Sequence, residues 1–190
     1  ESGLNSNAYS YAHASGVWQF ISSTGKIYGL EKTWYIDERL DFEKSTVAAA
    51  RYLKDLYAEF DDWYLAFAGY NSGSGRVRKA IERHGTRDYW KLYSLPKETQ
   101  NYVPNIMAAI YISMDPEKYG FNPNPYSDFE WRIIDIDKSI SLEKISECSK
   151  LDIKELRQYN PEIKQGIIPP LKNNEKYKFR LPLTASKEFD

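Results

Sequence analysis

Residues 115–129, "DPEKYGFNPNPYSDF", gather three prolines, one glycine and the turn-formers Asn122 and Asn124. Neither a helix nor a central strand survives such a run, because proline lacks the N–H that both ladders use and has its φ fixed. The stretch therefore divides the chain, and each side has to satisfy its own secondary structure. Residues 115–130 read as a linker or wrapping loop, residues 1–114 as one domain and residues 131–183 as a small module. A chain of 190 residues has room for one such domain and one such module.

Before the division the apolar period is helical. Within residues 41–60, Val47, Ala50, Leu53, Leu56, Tyr57 and Phe60 recur at three- and four-residue spacings behind Asp41, a ready N-cap. This predicts a helix with one buried face. "DWYLAFAGY" predicts a short apolar helix ending at "NSGSG", and "GRVRKAIERHG" an amphipathic helix closed by Gly85. In "PKETQNYVPNIMAAIYIS" a further helix is expected to kink or restart at Pro104. Residues 1–114 thus read as nearly all helix. After the division, "EWRIIDI" and "KYKFRLPL" have strand composition, with short helices predicted in "SLEKISECSKL" and "DIKELRQYN" between them.

Charge and composition remove several function classes. The 26 basic and 27 acidic side chains nearly cancel, so there is no basic stripe for a nucleic acid. No apolar run is long enough to cross a bilayer and no signal-peptide pattern is present; if the protein is exported, its targeting segment has been removed. The histidines His13 and His84 lie far from other candidate ligands, so no metal is expected. Cys148 stands alone, which excludes an intrachain disulfide, and on a helix face it is expected to be a small buried hydrophobe. Aromatic content is 15%, with 16 Tyr and 5 Trp. Such rings can cover the apolar faces of sugars, although filling a core is the simpler explanation.

Four patches combine polar groups with turns that packing does not require: "ESGLNSNA", "SGVWQF…STG", "AGYNSGSGRV" and "PKETQNYVP". In the third, Gly73 and Gly75 allow close approach and positive φ. No GK[ST] follows and no strand precedes it, which argues against a nucleotide. Tyr70 and Asn71 are equally readable as residues of a tight interhelical turn. In the fourth, Glu98 and Tyr102 are four apart and share a helical face, so both can point into one cleft. Glu98 is also explained by its place in a first helical turn, where the helix dipole favours a carboxylate.

In order and spacing, "ESGLNSNAYSYAHASGVWQFISSTGKIYGL", "AGYNSGSGRVRKAI" and "PKETQNYVPNIMAA" resemble the successive motifs of the lytic transglycosylases of glycoside hydrolase family 23. The resemblance covers residues 1–114. The tail "SLEKISECSKLDIKELRQYNPEIKQGIIPPLKNNEKYKFRLP" is similar to a LysM module, with "DKSISL" where Gly-Asp-Thr-Leu usually opens one. The fold class implied is mainly α: a lysozyme-like α-helical catalytic domain followed by a small βααβ LysM-like module.

The chemistry implied is cleavage of the β-1,4 bond between N-acetylmuramic acid and N-acetylglucosamine in peptidoglycan. Glu1 is the implied catalytic residue, an acid toward the glycosidic oxygen and then a base toward the sugar's 6-hydroxyl, leaving a 1,6-anhydro end. The N-acetyl carbonyl stands in for a second carboxylate, as in substrate-assisted glycosidases. An apolar surrounding keeps such a carboxyl protonated, and Trp18, Val17 and nearby Tyr residues are the expected contributors. By motif, Ser2, Ser15, Gly16, Gln19, Tyr70, Asn71, Glu98 and Tyr102 bind substrate, with Gln19 bonding the substrate or its acetamido group, Tyr70 orienting the acetamido group and Glu98 in a supporting role.

No cofactor or metal is implied. The expected partners are peptidoglycan glycan strands, the expected state is a monomer, and the expected location is the periplasm, with membrane attachment only through residues upstream of Glu1. In the family a helix precedes the catalytic Glu, and a free α-amino group beside that carboxyl would favour its charged form. A chain beginning at Glu1 is accordingly expected to be weakly active or inactive. The alternatives are a hydrolysing goose-type lysozyme and a non-catalytic peptidoglycan-binding protein.

Overall fold

Asp41 caps the longest helix of the computed structural model, which describes residues 1–122, 130–172 and 175–185. Its carboxylate accepts from the Glu43 and Lys44 amides at 3.0 and 2.9 Å. Helix α2 (Phe42–Phe60) therefore starts where its side chains predict. The buried face differs from the prediction: Ser45, Ala48, Ala49, Leu56 and Phe60 are buried, whereas Val47 is 53% exposed and Ala50 is exposed. At 3.6 residues per turn, Leu56 and Phe60 project back onto Ala49 and Ser45. Val47, nine residues before Leu56, falls on the opposite side.

The chain forms two compact units, one made of residues 1–49 with the C-terminal part, the other of the residues between. The second unit holds α2 from Ala50 onward, then α3 (Trp63–Ser72), α4 (Ser74–His84) and α5 (Lys97–Met114), with a 3-10 turn at Tyr89–Lys91. Asp62 caps α3 by accepting from the Leu65 amide at 2.9 Å. From Leu65 to Gly69 this helix is buried all round, as the centre of a helical unit should be. Leu56, Phe60, Val77, Ala80, Leu92, Leu95 and Val103 complete the core, each large apolar side chain worth about 1.5–3 kcal/mol of burial.

Helix α3 runs past its predicted end, so Asn71 and Ser72 lie in its last turn and Gly73 (φ 89°) makes the junction with α4. Gly75 does not take the positive φ expected of it; it sits in the first turn of α4. Gly85 closes α4 in the left-handed region, as predicted.

Pro104 neither breaks nor restarts α5, which is continuous from Lys97 to Met114. A proline leaves the carbonyl four residues earlier without its N–H partner, here Gln100. The Tyr89 hydroxyl donates to that oxygen at 3.2 Å and to the Thr99 carbonyl at 3.0 Å. The orphan acceptor is thereby satisfied from outside the helix, which removes much of the cost of the proline.

In the first unit the expectation of nearly continuous helix fails for residues 1–41, where the only helix is α1 (Ser22–Ile27). Gly3, Leu4, His13, Gly16, Gln19 and Gly29 all take positive φ, and single bridges join Tyr9 to Ser15 and Ser15 to Phe20. A backbone that reverses so often cannot carry a helical ladder. The C-terminal part follows the predicted order: β1 (Trp131–Ile136), α6 (Leu142–Ser149), α7 (Ile153–Tyr159) and β2 (Tyr177–Pro182).

The two strands pair antiparallel, Trp131 opposite Pro182 and Ile136 opposite Tyr177, over a core of Leu142, Ile145, Leu156, Ile163, Ile168, Phe179 and Leu181. Cys148 is exposed, against expectation, because Leu142, Ile145 and Ser149 set the buried face of α6. The architecture is mainly helical with one small strand-containing region, as the sequence implied. Residues 123–129, which include Asn124 of the expected linker, and residues 173–174 of the module lie outside the described residues.

Candidate active site

Ser2 fixes the start of the candidate site. Its hydroxyl donates to the Val17 carbonyl at 2.8 Å, tying the residue beside Glu1 to the turn that carries Ser15, Gly16 and Gln19. Glu1 is exposed, and its carboxylate makes no hydrogen bond or ion pair among the described residues. The Trp18 indole N–H donates to Thr46 Oγ1 at 2.7 Å, so the ring is anchored to the first turns of α2.

Gln19 adopts φ 50°, uncommon for a residue with a side chain. Its own amide holds it there: Nε2 donates to the Gly16 carbonyl at 2.7 Å and to the Ala8 carbonyl at 3.2 Å. Among the described residues Oε1 has no partner. Ser15 and Gly16 are buried, their amides donating to Phe20 O at 3.1 Å and Ala8 O at 3.0 Å. A Cβ on Gly16, at φ 83°, would lie 1.9 Å from the Arg39 carbonyl oxygen. Gly16→Ala is expected to cost about 2–3 kcal/mol through left-handed strain and displacement of that carbonyl, read as a lowered urea midpoint. A midpoint equal to the parent's would show that this packing does not exist.

Sequence reasoning missed the residue that holds the turn. Arg39 is 2% exposed, with Nη1 donating to the carbonyls of His13 and Phe20, each at 2.9 Å. Its Nε and Nη2 bind the two Asp37 oxygens at 2.9 and 2.7 Å. Burial pushes the Asp37 carboxyl up, but the hydrogen bonds and charge of Arg39 together outweigh it and hold it below the ordinary carboxylate range. A charged residue in a non-periodic segment carries no signal for this; only the buried fork geometry does.

In the second unit Asn71 and Glu98 come together. Asn71 Nδ2 lies 3.4 Å from Glu98 Oε1, while Asn71 Oδ1 accepts from the buried Thr99 hydroxyl at 2.8 Å. Thr99, also missed, decides which way the Asn71 amide faces. Glu98 is exposed in the first turn of α5, as its dipole-based explanation requires. Tyr70 is half-buried with its ring 5.1 Å from that of Tyr52, and Tyr102 packs partly buried against the same core. His13 pairs with Tyr9, and among the described residues no group of three or more His, Cys, Asp or Glu is arranged to hold a metal.

Residues 1–93 match the Transglycosylase SLT domain, and residues 130–190 match the LysM-like domain of lytic transglycosylase MltD. Over 170 residues the chain is 36% identical to membrane-bound lytic murein transglycosylase D of Escherichia coli (strain K12), covering 86% of this chain and 37% of that protein. It thus spans little more than a third of that relative's length. Over 82 residues it is 43% identical to a protein of Alteromonas sp. (strain M-1) named for tributyltin chloride resistance, covering 43% of this chain and 40% of that one. The X-ray structure of an inactive mutant of lytic transglycosylase Slt from Pseudomonas aeruginosa aligns at 29% identity over 57% of this chain and 19% of that chain, with a TM-score of 0.46. The chain thus carries a transglycosylase SLT domain followed by an MltD-type LysM-like domain.

Proposed function

We propose that the chain is a peptidoglycan lytic transglycosylase that cleaves the N-acetylmuramic acid–β-1,4–N-acetylglucosamine bond and leaves a 1,6-anhydro end. The observation that carries the reading is Gln19. A residue at φ 50° whose side-chain amide is tied to its own turn, inside a family match and with an oxygen left to accept, supports reading it as a binding group kept ready for ligand. Gln19 Oε1 accepts from the acetamido N–H, and the buried Ser15–Gly16 backbone supplies the wall beside it.

Glu1 gives its proton to the glycosidic oxygen as the C1–O bond breaks, and the acetamido carbonyl oxygen bonds to C1. The Glu1 carboxylate then takes the proton of the 6-hydroxyl, whose oxygen attacks C1 and expels the acetamido oxygen. Water enters at no step. Tyr70 orients the acetamido group, Asn71 flanks the reacting sugar with its amide fixed by Thr99, and Glu98 and Tyr102 complete the binding groups.

The substrate lies in the cell envelope, so the proposed location is the periplasm and the proposed working form a monomer. No helix among the described residues is long and apolar enough to cross a membrane. Purified peptidoglycan is incubated with the chain, and with a form extended upstream of Glu1, and the products are weighed by mass spectrometry. Anhydromuropeptides are expected from the extended form, and few or none from the chain beginning at Glu1. Products heavier by one water would assign a goose-type hydrolase instead, and retention of glycan without any cleavage by either form would assign a binding protein.

A further inference from the structure

The LysM-like domain does not stand apart from the SLT domain's first 49 residues; both contribute to one compact unit. Residues 34–37 and 162–165 are joined through main-chain groups: Ile36 bridges Ile163, the Asp37 amide donates to Glu162 O at 3.0 Å, and the Lys164 amide to Tyr35 O at 2.9 Å. Gln165 Nε2 adds a bond to Trp34 O at 3.2 Å. Beside this seam Arg180 of β2 binds three carboxylates, Asp41 at 2.7 Å, Glu43 at 2.6 Å and Glu162 at 3.2 Å. Its guanidinium lies 4.6 Å over the Phe42 ring.

The Arg180, Asp41 and Glu162 side chains are no more than 5% exposed. Asp41 is also the cap of α2, and Asp37, on the seam, is the partner that orients Arg39. Arg39 in turn holds His13 and Phe20, the two ends of the turn bearing Ser15, Gly16 and Gln19. One side of residues 34–43 is therefore gripped by the LysM-like domain while the other supports the turn.

We propose that the LysM-like domain braces the turn at residues 13–20, with Arg180 acting as a positioning residue through Asp41, the 34–43 segment and Arg39. A module serving only as a tethered binding unit would not need a buried fork of charge on its neighbour, since tethered domains meet through modest polar interfaces. Removing Arg180 leaves buried carboxylates uncompensated along the seam, so loosening is expected to spread first to what the seam supports. The inference rests on the proposed function only in treating residues 15–19 as the sugar-facing wall.

Amide hydrogen exchange in the full chain tests this without any turnover measurement, so it can fail while the proposed activity stands. In Arg180→Met the amides of Ser15, Gly16 and Gln19 are expected to exchange at least tenfold faster. In Glu43→Gln, which removes the most exposed of the three carboxylates, the same amides are expected to accelerate less. The Leu65–Gly69 amides of α3 are expected to hold their rates in both. If β2 amides accelerate while residues 15–19 do not, the brace is refuted. If α3 accelerates to the same degree as the turn, the effect is global stability and the brace is equally refuted. Should Arg180→Met fail to fold, Glu43→Gln decides on the same readout.

Discussion

In a form extended upstream of Glu1, Glu1→Gln is expected to lower release of anhydromuropeptides by about 10³-fold or more, since general acid–base catalysis alone contributes about 10²–10⁴-fold and in the proposed mechanism one carboxyl carries both proton transfers. Glutamine matches the carboxyl in shape and can hydrogen-bond, but it can neither give up a proton to the leaving oxygen nor take one from the 6-hydroxyl. The proposed mechanism has no second carboxylate to share the work: Glu98 is assigned to binding, with Asn71 beside it. Retention on insoluble peptidoglycan is expected to change by less than about twofold, because the proposed wall at Ser15, Gly16 and Gln19 is untouched. A variant keeping a tenth of the parent's release rate would remove Glu1 from the chemistry.

Arg39→Met is expected to cost about 3–5 kcal/mol, the usual penalty for stripping one partner from a buried ion pair. Asp37, 3% exposed, would keep its carboxylate without the fork that neutralises it, the His13 carbonyl would lose its donor, and the Phe20 carbonyl would keep only the Ser15 amide. In a chain of this size the loss lowers Tm by about 10 °C. Arg39→Lys is expected to recover little, because an ammonium cannot present the planar fork that meets both Asp37 oxygens while reaching two carbonyls. The pH dependence follows from the lowered carboxyl of Asp37. Its contribution is present above the ordinary Asp range and is lost as pH falls through the folded-state value, so the gap between parent and Arg39→Met should narrow in acid. A constant gap down to the acid limit would mean the pair contributes no linked stability.

Glu162 has the opposite sign. Burial, and then the charge of Asp41, raise its carboxyl above the usual range. Oε1 accepts from Tyr177 and Arg180, while Oε2 is buried without a partner among the described residues. A group raised in this way contributes fully below the ordinary Glu range, and the contribution fades as pH rises through its folded-state value. Glu162→Gln, neutral at all pH, is expected to gain about 2–4 °C in Tm over the parent at pH 8, the shift that accompanies about 1 kcal/mol in a chain this size. A loss at that pH would show that the carboxylate is needed in its charged form.

What the sequence made legible was local. The Asp41 cap, the apolar period of α3, the Gly85 stop and the strand, helix, helix, strand order all depend on neighbours within a few residues. The errors came where a distant group decides. The sequence predicts a kink or restart at Pro104, and the helix does not restart: a tyrosine fifteen residues earlier supplies a donor to the freed carbonyl. Residues 1–41 fall within the stretch the sequence predicts to be nearly all helix, yet their geometry is set by repeated positive φ and by Arg39. Val47 and Cys148 were given to buried faces that Ala49 and Ser149 occupy, because a stripe read from spacing alone can be rotated about the helix axis. The motif residues were located individually, while Asp37, Arg39 and Thr99, which orient them, belong to no periodic pattern.

The unit made from both ends of the chain also sets an order of assembly during synthesis. Arg180 meets Asp41 across 139 positions, so the first 49 residues leave the ribosome long before the strand that clasps them exists. The helices from α3 to α5 draw on nearby partners and can settle while translation continues. Completion of the turns in residues 1–41 therefore waits for β2, and a nascent chain arrested before it would carry the candidate wall in an unfinished, protease-sensitive state.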